Sequence, residues 1–435
     1  MRVLLTGATG FLGGRILRRL LAEGYRVRAA VRDPAAAGRH FDGSGDVEWV
    51  AMDFTRALHA ADWKAALRDV DAVINAVGIL REQAGQTFDL LHRRAPSALF
   101  AACVEAGVTR VLQISALGAG TEAQSAYHRS KGAADEVLLA LPLRATVLQP
   151  SLVYGDEGAS TRLFGLLATL PLTPLPGGGR QRIQPVHVDD LVETVCRLLD
   201  AVEAPTRLAV VGPRPLSLSE YLSILRRSLG GTAPPRFLTV PTPLARLGAR
   251  LASAWPASPL DSETLAMLER GNTADAAPLI QVLGRAPRAP ETFVSPAQAA
   301  SLSLQARLGW LLPLLRGAVG AVWIYTGIIS LGLYPVADSL VLLARSGVPA
   351  PLQLPALYGA ALLDLVLGVL SFVRRGRRWT WCAQAALIIG YTAILSWKLP
   401  EFWLHPYGPL SKNLPMLAAI WMLYEMEEGR WTTRS

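Results

Sequence analysis

Residues Val3 to Gly14 read Val-Leu-Leu-Thr-Gly-Ala-Thr-Gly-Phe-Leu-Gly-Gly, an apolar run that breaks into a turn with glycine at every third position, Gly7, Gly10 and Gly13. Beyond the turn, Ile16, Leu17, Leu20 and Leu21 recur at helical spacing. A strand therefore enters a tight turn and leaves it as a helix. The start of that helix offers backbone N–H groups without intrahelical acceptors, at the positive end of the helix dipole, and such a site suits a pyrophosphate. A Cβ at these glycines would hold the phosphate or the helix away. Directly after a strand, and ahead of an alternating strand and helix pattern, this spacing predicts a dinucleotide site.

The alternation runs on through predicted strands at Tyr25–Val31, Val47–Met52, Ala72–Val77, Arg110–Ile114 and Arg144–Gln149. Helices are predicted at about Phe11–Glu23, Thr87–Ala106 and Tyr127–Ala140. That order specifies an α/β fold, a doubly wound parallel sheet with helices on both faces, whose ligand crosses the carboxyl ends of the strands. Gly7, Arg32, Asp53, Gly78, Ser115 and Pro150 all fall at those ends. The Pro- and Gly-broken segment 154–183 and the Pro- and Ala-rich segment 205–283 are expected to cap the substrate side, with Val186–Leu199 returning to strand and helix between them. The first domain is thus expected over residues 1–300.

The chain is 51% hydrophobic with a mean hydropathy of +0.30, and the excess lies after residue 308. Gly317–Leu333 and Trp379–Trp397 carry no charge, and Leu354–Val373 carries only Asp364. With the shorter Leu414–Tyr424 they predict an all-α domain of four transmembrane helices over 309–428, flanked by interfacial Trp and Tyr. The Arg374-Arg375-Gly376-Arg377-Arg378 loop is expected on the cytoplasmic side. A multi-pass protein of the inner (plasma) membrane follows, with both termini and the nucleotide domain cytoplasmic. Asp364 is expected either to serve a functional site, for a quinone or a lipid headgroup, or to make a structural hydrogen bond. The scattered cysteines Cys103, Cys196 and Cys382 have no metal-ligand spacing and fit a reducing compartment. The first apolar run is too short for a signal peptide. The net charge of +9 comes without a basic patch interleaved with aromatics, so nucleic acid is not an expected partner.

Tyr127 and Lys131 form Tyr-x-x-x-Lys at a predicted helix start, sharing a face one turn apart. A tyrosine exchanges protons near neutrality only if its pKa falls well below about 10, and a neighbouring ammonium favours the phenolate. Ser115, at the preceding strand end, is placed to hold a substrate oxygen beside it. Lysine is rare here, at positions 64, 131, 398 and 412 only. Ser115, Tyr127 and Lys131 with a nucleotide hydride donor make a carbonyl/alcohol redox site.

Residues 1–300 resemble the extended and atypical short-chain dehydrogenase/reductase family, through Thr6-Gly7-Ala8-Thr9-Gly10-Phe11-Leu12-Gly13, Asn75-Ala76-Val77-Gly78, Ser115-Ala116-Leu117-Gly118-Ala119, Tyr127-His128-Arg129-Ser130-Lys131 and Gln149-Pro150-Ser151-Leu152-Val153-Tyr154-Gly155. The Ser-Ala-Leu-Gly-Ala run is similar to the branch holding the nucleotide-binding accessory subunit of respiratory complex I. Residues 309–428 resemble a DoxX-like membrane domain, through Gly332-Leu333-Tyr334-Pro335, His405-Pro406-Tyr407-Gly408-Pro409 and Lys412-Asn413-Leu414-Pro415. The resemblance implies that Gly7, Gly10 and Gly13 hold the pyrophosphate, with Thr9, Phe11 and Leu12 in the same cofactor-binding turn. It implies that Arg32 meets an adenosine 2′-phosphate, favouring NADP, while the adjacent Asp33 leaves NAD open. Asp53 and Phe54 would border the adenine, and Ala76, Val77, Gly78 and Pro150 would line the cofactor. Lys131 would also bind the nicotinamide ribose. Gln149 stands where extended members commonly carry Arg, which argues against a sugar nucleotide. Two functions follow: a membrane-anchored NAD(P)-dependent oxidoreductase or epimerase/dehydratase-like enzyme acting on a lipophilic substrate, or a non-catalytic NADP(H)-binding scaffold of a membrane complex.

Overall fold

The computed structural model describes residues 1–41, 47–253, 265, 266, 268, 270–373 and 376–428. Part of the 205–283 segment, and Arg374 and Arg375 of the arginine loop, lie outside the described residues. The chain forms two compact units, Met1–Ser303 and Leu304–Ser435.

The first unit is built on seven strands: β1 (Arg2–Thr6), β2 (Arg26–Val31), β3 (Val47–Ala51), β4 (Ala72–Asn75), β5 (Arg110–Ile114), β6 (Arg144–Pro150) and β7 (Arg207–Val210). They lie in the order β7-β6-β5-β4-β1-β2-β3, every pair parallel. Near-continuous Val, Leu, Ile and Ala runs mark strands covered on both faces. One face is packed by α1 (Phe11–Ala22) and α5 (Val188–Asp200), through Ile16, Leu17, Leu20, Leu191 and Val195. The other is packed by α3 (Ala95–Glu105) and α4 (Ala126–Leu139), through Leu99, Phe100, Ala134 and Leu138, with Trp63 wholly buried beside them. The winding reverses between β1 and β4, so the cleft opens at their carboxyl ends.

Three local features depart from the sequence expectations. Pro34–His40 forms a short helix, α2, because Pro34 fits a first helical position and Asp33 caps it. The single helix expected over Thr87–Ala106 is a π-helical turn, Asp89–Arg94, followed by α3. The 205–283 segment is not only a cap, since its Arg207–Val210 pairs with β6 and forms the sheet edge.

In the second unit, α6 (Pro296–Ile328, continuing to Leu333 as a π-helical turn), α7 (Ala350–Leu370) and α8 (Arg377–Lys398) are long and apolar enough to cross a membrane. The fourth expected span is shorter: α9 (Asn413–Glu428) has 16 residues, about 24 Å at helical rise against a hydrocarbon core of about 30 Å. It nevertheless completes a four-helix bundle, since Ile420 and Leu423 pack with Val319, Trp323, Leu367 and Trp381. Small residues seat α6 on α7: a Cβ on Gly327 would stand 2.7 Å from the Ala361 carbonyl, and one on Gly368 2.9 Å from the Ile324 nitrogen. Glu427 of α9 accepts from Arg316 of α6 at 2.7 Å and from Arg377 of α8 at 2.9 Å. That carboxylate ties the middle of α6, the start of α8 and the end of α9 at one level. Replacing it (Glu427→Ala) is expected to cost about 2 kcal/mol, read as a lower melting temperature of the detergent-solubilised chain.

Candidate functional site

The turn after β1 is held by close backbone packing. Gly7 has φ +72°, and a Cβ on it would stand 2.8 Å from the Ala76 carbonyl oxygen after β4. The Gly10 N–H donates to the Gly7 carbonyl at 2.9 Å, and a Cβ on Gly13 would overlap that same carbonyl. Gly10 caps α1 in extended conformation and offers no side chain to cap it, so the first N–H groups of the helix find no side-chain acceptor among the described residues. Thr9 is exposed at the turn, whereas Phe11 and Leu12 pack against the core beside α5, with the Phe11 ring against Gly155.

Below the turn, residues at the carboxyl ends of three neighbouring strands form a buried row. Thr6 Oγ1 donates to Asn75 Oδ1 at 2.6 Å, and Asn75 Nδ2 donates to Gln113 Oε1 at 2.7 Å. All three side chains are fully buried, and each pair is in strand register.

At the end of β2, Arg32 is exposed, while the Asp33 carboxylate accepts the Ala36 N–H at 2.9 Å as the cap of α2. Asp53 accepts the Thr55 N–H at 2.9 Å and its hydroxyl at 2.8 Å. Burial opposes the charge on Asp53, but the two Thr55 bonds, with Arg56 and Arg32, hold it below the usual carboxylate range. Phe54, expected at the adenine, turns into the core instead and meets Trp63 edge-on at 5.1 Å.

Tyr127 and Lys131 sit in the first turns of α4, which Ser125 caps by accepting the His128 N–H at 3.1 Å. Lys131 Nζ donates to the Val77 carbonyl at 3.1 Å and the Ile114 carbonyl at 3.0 Å, bridging the ends of β4 and β5. Gly78 leaves it room, since a Cβ there would lie 3.1 Å from Nζ. Tyr127 meets Phe88, His92 and His128 edge-on, and its hydroxyl has no hydrogen-bond partner among the described residues. Pro150 is buried at the end of β6, and its carbonyl accepts the Leu117 N–H at 2.9 Å.

Ser115 is placed otherwise than expected. Its hydroxyl donates to the wholly buried Asp135 carboxylate, one turn beyond Lys131, and no bond joins it to Tyr127. Burial pushes Asp135 up, against the pull of Ser115, Lys131 and Arg207. Burial pulls Lys131 down, against the support of Asp135. The phenol of Tyr127 moves opposite to expectation: burial, then the Asp135 charge, pushes it up to about 12. The Lys131 ammonium is shared with an acid of its own helix, which the Tyr-x-x-x-Lys spacing does not disclose. Asp135 is visible in the sequence only as an acid four residues past Lys131. His92, Asn75 and Gln113 carry no spacing signal at all.

A parallel sheet with a glycine turn at its switch point defines a dinucleotide-binding α/β protein. Residues 7–168 match the NAD(P)H-binding family, and residues 320–421 match the DoxX-like family. The first unit is thus an NAD(P)-binding Rossmann domain of the short-chain dehydrogenase/reductase kind, and the second carries a DoxX-like domain. The chain is 29% identical over 245 residues to NADH dehydrogenase (ubiquinone) 1 alpha subcomplex subunit 9 of Arabidopsis thaliana mitochondria, covering 55% of this chain and 60% of that one. It is 29% identical over 262 residues to a ceramide reductase of Caulobacter vibrioides, covering 58% of this chain and 78% of that one. The fold is similar to that of a nucleoside-diphosphate-sugar epimerase from Staphylococcus aureus, with TM-score 0.54 and 17% identity over 68% of this chain and 99% of the other. A UDP-glucuronic acid 4-epimerase from Bacillus cereus, solved with UDP-glucuronic acid and NAD, is similar at TM-score 0.51 and 18% identity, covering 70% and 99%.

Because Gly13 has no space for a side chain, Gly13→Ala is expected to abolish detectable NAD(P)H binding in titration calorimetry while the Rossmann unit, followed by circular dichroism, stays folded.

Proposed function

We propose that this protein is a membrane-anchored, NADP(H)-dependent oxidoreductase that acts on a lipophilic carbonyl or alcohol. The observation that carries the reading is the Tyr127 phenol, without a hydrogen-bond partner among the described residues and one turn from Lys131, beside the strand ends where Lys131 bridges the Val77 and Ile114 carbonyls. In it, Gly7, Gly10 and Gly13 hold the pyrophosphate at the start of α1. Ala76, Val77, Gly78 and Pro150 border the nicotinamide side, and Asp53 the adenine side. Lys131 binds the nicotinamide ribose, and Tyr127 hands its proton to the substrate oxygen as the hydride is transferred. Arg32 meets the 2′-phosphate. NADP is preferred over NAD because Asp33, the alternative partner for a 2′-hydroxyl, is engaged in capping α2. The ceramide reductase among the relatives, together with a membrane domain on the same chain, supports a lipid substrate.

In this reading the arginine loop before α8 faces the cytoplasm, as the positive-inside rule leads one to expect. Glu427 brings the start of the α6 span, the start of α8 and the end of α9 to that level, which supports four crossings of the inner (plasma) membrane despite the short α9. A quinone or lipid headgroup near Asp364 belongs to the same reading, because its buried Oδ1 has no hydrogen-bond partner among the described residues.

A second reading, a nucleotide-binding scaffold in a membrane complex, is favoured by specific observations. Tyr127 is held protonated, Ser115 is bound to Asp135, and subunits of mitochondrial NADH dehydrogenase are among the relatives.

Two experiments test the cofactor assignment and divide these readings. Arg32→Ala is expected to weaken NADPH binding about tenfold and leave NADH binding within about twofold, since one charge-assisted contact is lost. Equal loss for both cofactors would sink the NADP assignment. Tyr127→Phe in the full chain is expected to lower NADPH-dependent turnover by at least about a hundredfold while the nucleotide still binds. Full complementation of a deletion strain by that variant would establish the scaffold instead.

A further inference from the structure

The loop after β4 and the helix that carries Tyr127 are joined by a side chain that neither spacing nor charge singles out. His92 stands in the π-helical turn Asp89–Arg94 and is 1% exposed. Its Nε2 lies 3.0 Å from the Ile79 backbone nitrogen. An amide N–H can only donate, so this Nε2 accepts and carries no proton. The proton of the neutral ring is therefore on Nδ1, which donates to Ser130 Oγ at 3.0 Å. Ser130 in turn donates its hydroxyl to the Tyr127 carbonyl at 2.8 Å. The chain Ile79 to His92 to Ser130 to Tyr127 has a single direction, and each donor has one acceptor. A protonated ring would turn an Nε2–H against the Ile79 N–H.

The surroundings keep the ring neutral. Burial, and then the Lys131 ammonium, push His92 down to about 2. Phe88 stacks on the ring at 5.2 Å, and Tyr127 meets it edge-on at 5.4 Å. A π-helical turn adds a residue to the helix, which re-aims the side chains around it. Here it brings His92 opposite both Ile79 and Ser130.

We infer that His92 is a positioning residue: as a neutral imidazole of one tautomer, it ties the loop after Gly78 to the first turn of α4 and so sets the Tyr127 hydroxyl relative to the dinucleotide. This inference rests on the proposed oxidoreductase site.

The test compares the full chain in detergent micelles as wild type, His92→Phe and His92→Gln. Phenylalanine keeps the stack on Phe88 without either nitrogen. Glutamine can accept from Ile79 through Oε1 and donate to Ser130 through Nε2. Two readouts are taken: hydrogen–deuterium exchange in peptides spanning 77–82 and 126–131, and NADPH-dependent reduction of dodecanal at saturating NADPH. His92→Phe is expected to speed exchange in both peptides together by about tenfold. It is expected to lower kcat by about tenfold or more and to leave the Kd for NADPH within about threefold. His92→Gln restores both readouts. Unchanged exchange in His92→Phe, a change in one peptide only, or failure of His92→Gln to rescue would overturn the inference, leaving His92 as packing. Should His92→Phe not fold, Ser130→Ala breaks the same chain and is read in the same way. A wild-type chain that binds NADPH yet reduces no aldehyde tells against the enzyme reading, while the exchange readout still decides whether His92 makes the tie.

Discussion

The tightest constraint in the nucleotide-binding unit is the approach of two turns, the one after β1 and the one after β4. Gly7 lies so near the Ala76 carbonyl that no side chain fits between them. Beneath that contact, Thr6, Asn75 and Gln113 join the carboxyl ends of β1, β4 and β5 in one hydrogen-bonded row. A buried amide that loses its partner is costly, so a slip of register in any of the three strands is strongly disfavoured. The row therefore holds the strand ends level at the point where the winding reverses. From there the start of α1 faces the cleft, and Lys131 reaches the carbonyls of Val77 and Ile114 together.

Lys131 is also where the two functional readings divide. Its ammonium is buried, held by two carbonyls and faced by Asp135 from the next turn of its own helix. The same carboxylate takes the Ser115 hydroxyl and raises the Tyr127 phenol. A site arranged this way stores its proton on the tyrosine. In the enzyme reading, that proton is the one handed to the substrate oxygen.

In the second unit the problem of solvent is inverted. Trp379, Trp397 and Leu404 are more than four-fifths exposed, a surface that belongs in lipid or at its boundary. Several polar side chains face one another instead. Gln384, fully buried, donates to the Leu367 carbonyl and to Ser371 Oγ, and Glu427 gathers Arg316 and Arg377. With apolar contact giving little net drive in a bilayer, glycine seams and such bonds specify the bundle.

The sequence by itself determined the alternation of strands and helices, the glycine turn, the strand-end placement of Arg32, Asp53 and Gly78, and the apolar segments of the second unit. Each is a local matter, of period, of backbone freedom or of segment length, and is written in adjacent residues. Tertiary structure decided what long-range contact decides. Phe54 left the cleft because Trp63 offered its ring a buried partner, and Arg207–Val210 became a strand because the edge of β6 was open to it. Ser115 gives its hydroxyl proton to Asp135, twenty residues on, and so is not bonded to Tyr127. The Tyr127 phenol rose rather than fell because burial and that carboxylate outweigh an ammonium already shared. Ionisation depends on every charge and dipole within a few ångströms, and the chain order of those groups says little about their distance.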